Sequence, residues 1–331
     1  MIVKALTPQS TVKNEMRLLY LPLLHGFADT QTGLEKAFRS HFEVRTFDFI
    51  RAHDASNQLV QLCREFKPEI IHAQIQGTNN LDANVWDRIR EINPNTIVTQ
   101  WSGDVRVNAI EEMLRHGAKM DLTLLSSKGQ IPLYEQGGCR KVAYWQVAVD
   151  REMQFVQQEL PWSERRHGII FCGNHSPSFP DSWKRQSVVQ KLSRTFPDFY
   201  AFGQGWNGQA RWGGICSYRD QTNFYHKAKI SVGCNNFNNV DWYFSDRQLV
   251  AMAAGTVHVC HYIPGLENIF TDGEHCVWYH TEEEAVAKIE WLLKDEAARQ
   301  RIGTAGRDKV REEHTWDTRV LEYISLLREY C

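Results

Sequence analysis

The stretch from Lys229 to His280 constrains the fold most, because its breaks admit few readings. Ile230–Cys234 is a short apolar run suited to a buried strand. Ser245 is placed to cap a helix with Asp246 in its first turn, and Leu249, Met252 and Ala253 recur at helical spacing. Gly255 ends that helix, and Thr256–Cys260 returns as a strand. Ile263-Pro264-Gly265 makes a turn, and Leu266–Phe270 begins another short helix. Strand, helix, strand, loop, helix is the repeating unit of a parallel sheet.

The same alternation runs through both halves of the chain. Before Asp150, strands are expected at Met16–Leu21, Phe42–Phe49, Glu69–Gln74, Thr96–Trp101, Leu122–Leu125 and Val142–Val147. Helices between them are marked by Leu34 to Phe38, by Leu59, Leu62, Cys63 and Phe66, by Val85, Ile89 and Ile92, and by Ile110, Met113 and Leu114. Asp150–Arg166 is polar, contains Pro161 and reads as a linker beside a surface helix. A second series comes after it: strand Gly168–Cys172, helix Trp183–Phe196, strand Asp198–Phe202 and a helix around Phe224. The chain ends in helices over Ala285–Leu293, Ala297–Glu312 and Trp316–Tyr330, the last burying Val320, Tyr323, Ile324 and Leu327. The expectation is an α/β chain of two Rossmann-like, doubly wound parallel-sheet domains, over residues 1–155 and 156–331. In such sheets ligands bind at the carboxyl ends of strands.

A chain of 331 residues is long enough for two cores. A net charge of -2 does not call for a nucleic-acid or membrane partner. No window approaches the apolar length of a membrane span, and the first residues lack the apolar core of a signal peptide. Eight cysteines with no C-x-x-C pair favour free thiols, so a cytoplasmic location is expected.

Ser245-Asp246-Arg247, Ala253-Ala254-Gly255-Thr256, Gly265-Leu266-Glu267, Phe270-Thr271-Asp272-Gly273 and His314-Thr315-Trp316 carry a resemblance. In order and spacing, from about Phe171 onward, they resemble the C-terminal domain of group 1 glycosyltransferases, most closely the spore-maturation type. The resemblance implies the GT-B architecture, two such domains facing across a cleft, with the final helix crossing back to the N-terminal domain. It also implies transfer of a hexosyl or pentosyl group from a nucleotide sugar, a co-substrate rather than a cofactor, bound by the C-terminal domain. The acceptor would be a hydroxyl on a glycan, small molecule, protein or modified DNA base, bound by the N-terminal domain. Val250 departs from the pattern, since these enzymes usually carry there a glutamate that holds the donor ribose. That leaves three readings: a ribose contact from elsewhere, such as Asp246, an unusual donor, or lost binding. A nucleotide-sugar or glycan-binding module without activity is therefore a rival, as is a bacteriophage-type DNA-base glycosyltransferase using a patch of Arg106, Arg115, Lys119 and Arg140.

Individual residues can be matched to this chemistry. Arg247, near a helix start, suits a diphosphate, because the helix dipole and a guanidinium fork both favour anions there. Ser245 and Asp246 belong to the same helix start, and the backbone of Gly265, Leu266 and Glu267 could face the same phosphates. Gly173-Asn174, after a strand, lets a ligand approach the backbone. Gly203-Gln204-Gly205-Trp206-Asn207-Gly208 spells the dinucleotide fingerprint, but Gln209-Ala210-Arg211-Trp212 does not open a helix after it, and no acidic residue stands about 20 residues on. A loop near the donor base is the better reading, with Trp206 or Trp212 lining the cleft. Asp104, after strand Thr96–Trp101, is the candidate general base. It could equally cap the helix near Asn108 or pair with Arg106. His25 is the rival base, and Trp101 and Arg106 are candidate acceptor contacts. His258, Cys260 and His261 alternate on a strand without further ligands, and no D-x-D occurs, so no metal is expected.

Overall fold

The computed structural model describes residues 16–23, 32–76, 80–156 and 160–331. The chain divides into two compact units, one of Met1–Gln146 with Trp316–Cys331, the other Val147–Thr315. Among the described residues no helix is long and apolar enough to cross a membrane.

The first unit holds β1 (Arg17–Leu21), β2 (Glu43–Thr46), β3 (Ile70–Ala73), β4 (Ile97–Ser102), β5 (Leu122–Leu125) and β6 (Val142–Tyr144). They form one parallel sheet in the order β2-β1-β3-β4-β5-β6. β3 and β5 are buried at every residue, as strands covered on both faces must be. β2 is shorter than the expected Phe42–Phe49 because it is an edge strand with one neighbour, and only Val44 of its four residues is buried. Helix Ile131–Gln136 was not legible in the sequence. It is short and starts with Pro132 in its first turn.

The second unit holds β7 (His167–Cys172), β8 (Phe199–Phe202), β9 (Trp212–Gly214), β10 (Ala228–Gly233), β11 (Val257–His261) and β12 (Val277–Tyr279). Its parallel sheet has the order β12-β11-β10-β7-β8-β9. β9 and β12, also unforeseen, are three-residue edge strands, and β9 is Trp-Gly-Gly, which carries almost no strand signal. Strand order reverses between β7 and β10, the place where a doubly wound sheet opens a crevice for a ligand.

Helix Trp316–Tyr330 is part of the first unit and buries Val320, Tyr323, Ile324 and Leu327. Its contacts are specific. Tyr323 OH lies 2.9 Å from Thr99 Oγ1, which lies 3.0 Å from His72 Nδ1. Trp145 Nε1 donates to Arg319 O at 2.8 Å. Tyr20, Phe38, Trp145 and Tyr323 surround the His72 ring at centroid distances of 5.0–6.0 Å. In the second unit, His258 is similarly buried, with Nδ1 2.8 Å from Ser231 Oγ.

Burial lowers both histidines to a pKa of about 3, helped at His258 by the charge of Arg247. Both stay neutral in the native state, while the unfolded chain protonates them near pH 6.5, the ordinary value. Between those pH values the unfolded state binds more protons, so stability falls as pH falls. From neutrality to about pH 5 each histidine should remove about 2 kcal/mol, which urea titrations at the two pH values will read. His72→Met should lessen the difference.

Candidate functional site

The crevice at the switch point is built from the loops that leave β7 and β10. Gly173 and Asn174 follow β7, and Cys234 and Asn235 follow β10. Helix Asp246–Ala253, the next element after β10, starts there. Ser245 caps it: its Oγ accepts from Arg247 N at 3.2 Å and donates to Asp246 Oδ1 at 3.0 Å. The capping hydroxyl is thereby engaged in local structure.

Arg247 stands in the first turn of that helix. A Cβ built on Gly173 would lie 3.4 Å from Arg247 Nε, ordinary van der Waals contact, so the guanidinium lies beside the β7 loop. Among the described residues Arg247 has no carboxylate within ion-pair distance. Beside it lies a cavity of about 20 Å³, lined by apolar Phe171 and Val232 as well as by Asn235, Ser245, Gln248 and His258. That is room for one water-sized group, so a nucleotide would lie over the recess rather than in it. Gln248 is 5% exposed, and its Nε2 has no hydrogen-bond partner.

Arg185, absent from the sequence-based candidates, completes the site. It is 2% exposed. Its Nε donates to Cys234 O at 2.8 Å and its Nη1 to Asn174 O at 2.9 Å, so one guanidinium ties the β7 and β10 loops together. Its Nη2 has no partner. Burial and the charge of Arg247 lower its pKa to about 10. Two guanidinium groups without a carboxylate at ion-pair distance, one of them with a buried N–H that has no partner, make a candidate anion site. The sequence signal was weak: Arg185 lies inside helix Ser182–Thr195, eleven residues after Asn174, where a surface arginine is the ordinary reading.

The glycine-rich stretch is a loop and leads into β9, not into a helix. It locks onto the β7 loop: Gln204 N donates to Asn174 Oδ1 at 2.9 Å, and Trp206 Nε1 to Gly173 O at 2.7 Å. Trp206 is fully buried and packs edge-on against Phe171, so it lines no open face. Trp212 is 42% exposed, and its Nε1 donates to Gly203 O at 2.9 Å.

Other candidates stand differently from expectation. Leu266 is fully buried and its amide donates to Ile263 O at 3.2 Å, so it shapes the turn and does not face a ligand. Glu267 Oε2 accepts from Tyr262 OH at 2.9 Å. Gly265 has φ +89°, a conformation that favours glycine. Val250 is fully buried, inside the domain.

In the first unit, Asp104 follows the carboxyl end of β4. Its Oδ2 lies 3.2 Å from Arg106 Nη2, with both side chains about half exposed. Ser102 Oγ accepts from Asp104 N at 3.2 Å. Trp101 is 4% exposed, donates to Trp145 O at 3.0 Å and packs on Trp145 and Trp316. It is a core residue with no face left for an acceptor. His25 lies outside the described residues. The expected basic patch is largely neutralised: Arg106 pairs with Asp104, Arg115 with Glu112 and Lys119 with Asp87, while Arg140 Nε donates to Ala118 O at 2.9 Å. Among the described residues no group of three His, Cys, Asp or Glu side chains is placed to hold a metal ion. His258 and Cys260 share the face that borders the cavity, and His261 Nδ1 lies 2.7 Å from Tyr262 O.

Residues 184–325 match the family described as glycosyl transferase-like. No protein of curated function matches the chain in sequence. Solved structures match it in fold. Sucrose-phosphate synthase from Thermosynechococcus elongatus aligns at a TM-score of 0.63 and 12% identity, over 95% of this chain and 99% of that one. Alr3699/HepE from Anabaena, in complex with UDP-glucose, aligns at 0.67 and 12%, over 95% and 100%. An alpha-glucosyltransferase in complex with UDP aligns at 0.69 and 10%, over 95% and 99%. The two-domain α/β fold is that of GT-B glycosyltransferases.

The clamp between the two loops gives a test of the site's construction. Gly203 has φ +128°, and a Cβ there would lie 2.5 Å from Gly173 O. Gly203→Ala should cost about 1 to 3 kcal/mol, seen as a lower melting temperature.

Proposed function

We infer that this chain is a glycosyltransferase that transfers a sugar from a nucleotide sugar to a hydroxyl acceptor. The observation that carries the reading is the pair Arg185 and Arg247, cations without a carboxylate partner among the described residues, at the switch point of the second sheet. A diphosphate over these guanidinium groups and the start of helix Asp246–Ala253 supplies the missing negative charge. The same groups stabilise the leaving nucleoside diphosphate as its charge develops. The UDP and UDP-glucose bound to two structural neighbours favour a UDP-sugar donor. The base lies toward the Gly203 loop, with exposed Trp212 beside it, and the sugar toward β11. The first unit binds the acceptor at the carboxyl edge of its sheet, where Asp104 stands as the base. The mechanism uses no metal, and its cationic work falls to the two arginines.

Arg247→Ala should weaken UDP binding by about 1.5 to 3 kcal/mol in calorimetry, with the fold intact. Unchanged affinity would refute the site. Asp104→Asn should slow transfer by about 10² to 10⁴ without altering UDP affinity. Wild-type turnover would leave Asp104 only the pairing with Arg106.

A further inference from the structure

The segment between β10 and helix Asp246–Ala253 holds a backbone outlier. Trp242 has φ +62°, in the left-handed region that tryptophan rarely adopts. A bulky residue keeps such a conformation only where its surroundings impose it.

The surroundings are the turn after β11. Trp242 N donates to Pro264 O at 2.8 Å. The indole lies against Gly265 so closely that a Cβ there would meet Trp242 Cδ1 at 2.3 Å and Nε1 at 2.4 Å. Gly265 is itself left-handed, with φ +89°. The glycine is needed twice, once for its conformation and once because its missing side chain forms the seat of the indole.

The other end of the segment is tied to the anion site. Asn238 N donates to Asp181 Oδ2 at 2.6 Å, Asn235 N to Asn238 Oδ1 at 3.0 Å, and Ser245 N to Asn235 Oδ1 at 3.3 Å. Asn235 and Ser245 border the cavity beside Arg247. Trp242 thus spans from the loop that carries the anion site to the turn that carries Gly265 and Glu267.

We propose that Trp242 is a positioning residue for the sugar end of the donor: its indole, seated on Gly265, sets the gap between the β10 loop and the β11 turn in which the glycosyl group is held. The proposal rests on the nucleotide-sugar reading above. It assigns Trp242 to the sugar and not to the nucleotide, because Arg185 bridges the β7 and β10 loops and the Gly203 loop follows β8, beyond β7 in strand order, whereas the Trp242 indole is seated on the turn after β11.

The test compares UDP with UDP-glucose, the donor used as probe. Trp242→Gly removes the indole while leaving the backbone free to keep its left-handed turn, and Gly265→Ala displaces the indole by one methyl group. Each should lower kcat/KM for UDP-glucose by about ten- to a hundred-fold, the scale of a misplacement near 1 Å, while UDP affinity stays within about twofold of wild type. Trp242→Phe should recover part of the loss and keeps the test open if the glycine variant does not fold. Equal losses for UDP and UDP-glucose, or no loss for either, would overturn the assignment. Arg247→Ala serves as the control: if it leaves UDP affinity unchanged, the donor site itself is wrong, whatever Trp242 does.

Discussion

The second unit is organised around a buried guanidinium. Arg185 holds the carbonyls of Asn174 and Cys234 at once, so the loops on either side of the switch point cannot move apart without breaking a charge-assisted bond. Burying an arginine with no carboxylate partner is costly. Two backbone carbonyls offset part of that cost, and Nη2 is left without a partner. Arg247 adds to the strain, as the lowered pKa of Arg185 reflects. A fold selected for stability alone would favour a leucine here. On the proposed reading, a diphosphate laid over the site is what the retained charge would meet.

The glycines answer to the same constraint. Once Arg185 has drawn the β7 and β10 loops together, the β8 loop has to fit against them. Gly203 lies against the carbonyl of Gly173, and Asn174 takes the amide of Gln204. The stretch that spells a dinucleotide fingerprint is therefore a brace for the neighbouring loop. The spelling misleads because the fingerprint depends on a helix after the glycines, and here the chain enters β9 instead.

Much of the architecture was legible because parallel strands are apolar on both faces and their connecting helices on one. Leu122–Leu125 is found at the bounds expected, and Ser245 caps the helix foreseen. The failures share a cause. β9, β12 and helix Ile131–Gln136 are too short for a period to show, and their pairing partners are distant in sequence. The place of Arg247 at a helix start was legible because Ser245 and the helical spacing after it mark that start. Arg185 was not, since nothing local distinguishes an arginine that turns inward from one that turns to water. Trp101 misled in the opposite direction: its place beside Asp104 suggested a ligand face, but Trp145 and Trp316, far along the chain, enclose it.

Val250 shows how a single position can be read from both ends. The resemblance asks for a carboxylate there, and the structure puts a fully buried aliphatic side chain in its place. A glutamate in that buried environment would bear a desolvation cost that a valine avoids. One turn earlier on the same helix face stands Asp246, half-buried, with an oxygen on the capping hydroxyl of Ser245. Among the described residues it has no cation partner. The helix thus carries one carboxylate beside its arginine, in the solvent-reachable first turn. There its charge adds favourably to the helix dipole.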